Sequence, residues 1–173
     1  MPPYPMHGLL SRRSLLNSLL GLCPGLAWAL PTPSGSVVLT LSGRLGRSNS
    51  EGRALFDMAM LAALPQHSLV QKTPWYSGPR KFTGPLLRDV LAAAQAQGQQ
   101  IDAVAINDYK VSIPMEDVQT LPVILARLLD DQPMLLRDKG PLFVIYPFES
   151  HPRLRNTLYY SRCIWQLKSL DVR

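Results

Sequence analysis

The sequence predicts an α+β domain built on a mixed β-sheet. Three observations carry that reading. Strand-like segments outnumber helical ones. The two kinds do not alternate in the regular way a parallel α/β fold requires. Leu142 to Tyr146 is an unbroken apolar run, the pattern of a strand covered on both faces. The 173 residues are 46% hydrophobic and 17% charged, without an internal repeat, which suits one globular domain and excludes collagen, coiled coil or wholesale disorder.

The first 29 residues read as an address. Met1 to Ala29 contain no acidic residue; Arg12 and Arg13 precede a Leu-rich run from Leu15 to Leu26, and Ala27-Trp28-Ala29 follows. A cationic start, a short apolar core and an A-x-A site are the parts of a secretory signal peptide. This predicts a periplasmic or secreted protein. Ser11-Arg12-Arg13-Ser14-Leu15-Leu16 resembles the twin-arginine export consensus, with an ordinary charged n-region as the alternative. No apolar stretch reaches the roughly 20 residues of a membrane span, so none is expected after cleavage. Cys23 leaves with the signal, and Cys163 alone has no partner for an internal disulfide.

Residues 30–36 read as a flexible lead-in, and 37–173 as the domain. Val37 to Leu41 is β-branched and closed by Gly43, a strand. Ser48-x-x-Glu51 has capping-box spacing, which predicts a helix over Ala54 to Leu64, stopped by Pro65. His67 to Thr73 is the next strand. Gly84-Pro85 opens a helix whose Leu87, Val90, Leu91 and Ala94 form one buried stripe, ended by Gly98. Ile101 to Ile106 and Lys110 to Ile113 read as strands joined through Asn107-Asp108. Val123 to Leu129 and Met134 to Arg137 read as a hairpin about Asp130-Asp131-Gln132-Pro133. Trp165 to Val172 is the final strand, with Cys163 on its face as a small buried hydrophobe.

Familiar catalytic constellations are missing. His67 and His151 lack metal-ligand spacing to Cys163, and no nucleophile elbow, Walker loop or dinucleotide fingerprint occurs. No metal site is predicted. The net charge of +6 is scattered, with no nucleic-acid arm; it reads as a solvated surface or as attraction for a small anionic ligand. Three segments carry candidate chemistry. The turn-rich Thr73 to Gly84 puts Arg80 and Lys81 before a helix start, beside Trp75 and Tyr76, a set suited to an anion or to plugging the core. Asn107, Asp108 and Tyr109 form a tight turn with groups for a pocket rim. Arg137 and Lys139 offer a second anion contact or an exposed charged turn.

Taken in chain order, Thr73-Pro74-Trp75, Phe82-x-Gly84-Pro85-Leu86-Leu87-x-x-Val90-Leu91, Ala105-Ile106-Asn107-Asp108-Tyr109, Arg137-Asp138-Lys139-Gly140-Pro141-Leu142 and Trp165-Gln166-Leu167 resemble the oxidoreductase molybdopterin-binding domain, the fold of the sulfite-oxidase family. The likeness is to a small, exported, stand-alone form and covers Val37 to Val172. It implies a mixed sheet with a few short helices, whose loops hold a molybdopterin. The residues it points to are Trp75, Tyr76, Arg80, Lys81, Asn107, Asp108, Tyr109, Arg137 and Lys139. In catalytic relatives a cysteine in the loop after the second strand binds molybdenum, yet His67 to Lys81 contains none. The expectation is therefore a protein that binds a pterin or another small anion, with the metal-bound form and oxidoreductase chemistry in question. The alternative is a non-catalytic periplasmic binding or sensory module, recognising a protein partner such as a membrane signalling or redox protein.

Overall fold

A computed structural model describes Met1 and residues 30–173; the signal-peptide reading falls on residues outside that set. The chain runs β1 (Val37–Gly43), β2 (Ala54–Asp57), α1 (Met58–Ala63), β3 (Gln66–Lys72), β4 (Pro79–Pro85), α2 (Leu87–Ala93), β5 (Gln100–Ala105), β6 (Lys110–Pro114), α3 (Met115–Thr120), β7 (Ile124–Ala126), β8 (Leu128–Leu129), β9 (Gln132–Pro133), β10 (Phe143–Ile145), α4 (Thr157–Arg162) and β11 (Leu167–Val172). Among the described residues three sheets form, ordered β2-β1-β11-β5-β6, β3-β4-β8-β9 and β10-β7. In the largest, β1 and β11 are parallel while every other pairing is antiparallel, so the sheet is mixed. With four α-helices of six or seven residues among the described residues, the predicted α+β class holds.

The period of two decides which face is buried. Leu39 and Leu41 of β1, Ile101, Ala103 and Ala105 of β5, and Leu167, Leu170 and Val172 of β11 point into one core. Against them lie the α2 stripe of Leu87, Val90 and Leu91, and β10, whose Phe143, Val144 and Ile145 are fully buried. The apolar run expected to be covered on both faces is so covered.

Several local readings are corrected. Ser48 to Glu51 caps no helix. Glu51 sits in a turn at φ +40°, and Ala54–Asp57 is a strand paired with β1. The cap of α1 is Asp57, whose carboxylate accepts from Met60 N at 2.8 Å. Alternating burial on β2 outcompetes helix propensity because an edge position on β1 stands open to it. Asp57 also accepts from Ser34 N and Gly35 N, at 2.7 and 2.8 Å, and Leu30 is buried; 30–36 is tied to the domain rather than loose.

Pro79 to Pro85 is a strand, pairing residue by residue with β3 from Gln66↔Pro85 to Lys72↔Pro79. Pro85 therefore ends β4 instead of opening α2. Gly84 is where β4 crosses β7: a Cβ there would fall inside contact distance of the Leu125 carbonyl. The expected hairpin is shorter and shifted. Leu128–Leu129 pairs with Gln132–Pro133 about Asp130-Asp131, both left-handed at φ +49° and +65°. Ile124–Ala126 pairs instead with β10, and Leu136–Asp138 is a 3-10 turn rather than a strand. Cys163 is buried as expected, but as the residue closing α4, not on a strand.

Candidate functional site

An aromatic-walled cleft of about 350 Å³ opens where the 73–78 turn, the β5–β6 turn and the end of α4 meet. Trp75 lines it. Its ring packs edgewise on Phe143, Trp165 and Tyr160, with centroids 5.3, 6.0 and 6.0 Å away. Steep tilts of 62°, 70° and 83° are the arrangement aromatic quadrupoles favour, and they hold the walls without a ligand. Asn107 and Tyr109 supply one side. The Asn107 carboxamide accepts from Tyr109 N at 3.2 Å, an Asx turn that fixes the tip of the hairpin. Tyr160 and Ser161 supply the other.

α4 is held at both ends. Asn156 caps it by accepting from Leu158 N and Tyr159 N, at 3.1 and 3.4 Å. At its far end Arg162 donates to Asp117 Oδ2 of α3 at 2.6 Å, and the Tyr146 hydroxyl donates to the same oxygen at 2.8 Å. Burial raises the Tyr146 hydroxyl far above its ordinary range, so it stays a donor. This network anchors α4, the helix that carries Tyr160 and Ser161 of the cleft.

The nine residues expected at a ligand site separate into groups. Trp75, Asn107 and Tyr109 line the cleft. Asp108 lies beside it but turns away: it accepts from Lys168 Nζ at 2.6 Å, which holds its carboxyl below the usual range. Tyr76 and Arg80 line a second recess of about 340 Å³, with Asp130, Met134 and Asp138. The Arg80 Nε stands 2.9 Å from Asp130, and Lys81 Nζ stands 2.8 Å from Asp131. These two cations are therefore already matched by the aspartates of the β8–β9 turn. They also lie at the far end of β4 from α2, whose first amide, Leu87 N, donates to Val123 O at 2.8 Å. The helix-start anion site expected at Arg80-Lys81 is not formed.

Arg137 is solvent-exposed, 3.6 Å from Asp138. Lys139 differs. Its ammonium lies 5.3 Å from the Tyr76 ring centre and 5.4 Å from that of Trp165. Arg80 approaches the same Tyr76 ring at 5.6 Å, so the two cationic segments do converge, on a tyrosine. Tyr160, Ser161 and Trp165 complete the cleft and were not among the expected residues. Asn156 followed by Thr-Leu-Tyr-Tyr is a capping signal that would have revealed the helix carrying two of them.

A thiolate-held metal does not fit this cleft. Cys163 is its one cysteine; it is 2% exposed, and burial pushes its thiol up to about 12, so it is a neutral packed group. Thr73, in the segment where the resemblance expects a metal-binding loop, offers a buried, unpartnered hydroxyl, a hard neutral oxygen in place of soft sulfur. Among the described residues no three His, Cys, Asp or Glu side chains gather as a metal set. The walls of the cleft are aromatic, and Asn107, Tyr109 and Ser161 place polar groups among them.

Among solved structures, the chain is similar to the sulfane dehydrogenase SoxCD from Paracoccus pantotrophus, with a TM-score of 0.58 and 16% identity. What the two share is the fold. The match covers 78% of this chain and 37% of that one, so this chain spans little more than a third of its neighbour's length. No protein-family model matches, and no curated protein matches. The coarse expectation of an α+β domain on a mixed sheet thus has a distant structural counterpart. No helix among the described residues is long and apolar enough to cross a membrane.

Proposed function

We propose that this chain is an exported ligand-binding domain on a sulfite-oxidase-like scaffold, taking a pterin or a similar flat heteroaromatic molecule without a protein-held metal. One observation carries the reading: Trp75, Trp165, Tyr109 and Tyr160 meet with Asn107 around a single cleft large enough for a bicyclic ring. The trace of the molybdopterin-binding pattern in the sequence supports the class of ligand, and the fold is one shared with a dehydrogenase. The missing thiolate argues against metal-centred oxidoreductase chemistry of the usual kind. Calorimetric titration of residues 30–173 with 6-hydroxymethylpterin tests the proposal. Saturable 1:1 binding that is lost in Trp165→Ala is the expected result; no heat with the native domain overturns it. Elemental analysis after expression in a molybdenum-cofactor-producing host is expected to show well under one molybdenum per chain.

A second reading rests on a different observation. Ile106, Tyr109, Leu135, Leu136 and Trp165 are all exposed, and their turns are joined through Gln166. Its side chain donates to Leu136 O, its amide to Lys139 O, and its carbonyl accepts from Ile106 N. Apolar side chains gathered at one end of the sheets suit a protein partner in the periplasm, such as a signalling or redox protein. Leu135→Asp with Leu136→Asp would abolish capture of such a partner while leaving pterin binding intact. Unchanged capture removes this surface from consideration.

A further inference from the structure

Resting on the export reading proposed above, we infer that the folded domain shields its own leader-cleavage site, so that leader removal belongs to the chain before it folds. The bond concerned is Ala29–Leu30, directly after Ala27-Trp28-Ala29. No spacer separates that bond from the domain. Leu30, the first residue beyond it, is 8% exposed and belongs to the hydrophobic core.

Two polar side chains hold the next residues in place. Asn49 donates through Nδ2 to Pro31 O at 2.7 Å and to Leu55 O at 2.9 Å, while its Oδ1 accepts from Leu55 N at 2.8 Å. Its carboxamide thus bridges the lead-in to β2. Asp57, itself only 2% exposed, accepts from Ser34 N at 2.7 Å, Ser34 Oγ at 3.2 Å and Gly35 N at 2.8 Å. Its other oxygen caps α1, and its backbone pairs with Val37 as β1 begins. Both anchors therefore sit on parts of the finished sheet. A peptidase holds its substrate extended, with chain on either side of the bond, so a bond flush against a packed surface is cut only when that segment opens. Opening here breaks the four hydrogen bonds at Pro31, Ser34 and Gly35 and withdraws Leu30 from the core. The reaction itself is amide hydrolysis by a signal peptidase: water adds across Ala29–Leu30, leaving a carboxylate on Ala29 and an ammonium on Leu30. A protein exported already folded would arrive with this bond covered, whereas a chain threaded unfolded presents it free. The geometry favours Arg12 and Arg13 as an ordinary charged n-region.

The test uses the full-length precursor, purified folded in mild detergent and incubated with signal peptidase, with products read by mass spectrometry. Its comparator carries a flexible Gly-Ser spacer of about six residues between Ala29 and Leu30, which moves the bond off the surface and leaves the domain unchanged. The spacer variant is expected to be cut after Ala29 about a hundredfold faster than the native precursor, the scale of an opening that breaks several hydrogen bonds and bares a leucine. Asn49→Ala combined with Asp57→Asn is expected to be cut about tenfold faster than native, at a temperature where melts show it folded. In cells, Arg12→Lys with Arg13→Lys is expected to leave export and processing at the native rate. Equal cutting of the native and spacer precursors overturns the shield while leaving the export reading standing. Failure of both to be cut overturns the export reading and this inference with it. A double variant cut as slowly as native overturns the role of Asn49 and Asp57. Precursor trapped in the cytoplasm by the two lysine changes overturns the order of events.

Discussion

Replacing Asp117 by alanine should be among the most destabilising single changes outside the apolar core. Its Oδ2 accepts from Arg162 at 2.6 Å and from Tyr146 at 2.8 Å, and the Asp117 and Arg162 side chains are only 14% and 15% exposed. Removing the carboxylate leaves a guanidinium largely out of water without its counter-charge, a loss of about 3 kcal/mol at the lower end for a buried pair. The Tyr146 hydroxyl, on a fully buried side chain, then lacks its acceptor, adding about 1 kcal/mol. The expected total is about 4 kcal/mol, which for a domain of this size lowers Tm by roughly 10 °C. Tyr146→Phe, which leaves the ion pair intact, should cost only about 1 kcal/mol. Urea denaturation followed by circular dichroism, with m-values compared between variants, measures both. A loss under 1 kcal/mol for Asp117→Ala, or equal losses in the two variants, would refute the claim that the charge pair is the main tie between α3 and α4.

Three further outcomes follow from other sites. The Asp57 carboxyl is held below its ordinary value by backbone hydrogen bonds from Met60, Gly35 and Ser34, so its contribution is complete above pH 3.8 and is lost as pH falls through its lower folded value. Asp57→Asn should lower stability at pH 7 and flatten the acid limb of a Tm-against-pH profile; an unchanged limb counts against the clip. Gly84→Ala should destabilise by about 3 kcal/mol, because the methyl group meets the rigid Leu125 carbonyl of β7 rather than a movable side chain; a melt within 2 °C of the native protein would contradict this crossing. The Cys163 thiol, pushed up to about 12, should resist iodoacetamide at pH 8 in the folded domain and react once urea unfolds it. Rapid labelling of the native protein would contradict its burial.

The sequence made the broad architecture legible because its strongest signals report burial. The α2 stripe, the Phe143–Ile145 run and the β5 and β6 segments are each set by side chains that must leave water. Errors fell where a local signal met a long-range one. Ala54–Asp57 has helix-compatible residues, yet pairing with β1 across a bulge at Val37/Leu39 claims them as a strand. The 79–85 segment carries two prolines and a glycine, which read as turn punctuation, but both prolines stand at the strand's ends. For the site, Trp75, Asn107 and Tyr109 were identified from composition and turn chemistry. Tyr160 and Ser161 were missed because α4 is short and held by Asp117, 45 positions away from Arg162. The fate of Arg80 and Lys81 was equally hidden: nothing local reveals that aspartates some 50 residues on will stand opposite them.

The order β2-β1-β11-β5-β6 has a consequence for how the chain reaches this state. β11 lies in the middle of the sheet, joining the β1–β2 pair on one side to the β5–β6 pair on the other. Until residues 167–172 have left the ribosome, those two halves have no shared edge, and β1 has no parallel neighbour. Closing that gap demands contacts across more than 120 positions, an arrangement that folds slowly because the entropy of loop closure precedes the reward. Without β11 the sheet is two separate antiparallel pairs, β1–β2 and β5–β6, each with an open flank. The five strands become one continuous sheet only when β11 lies between β1 and β5.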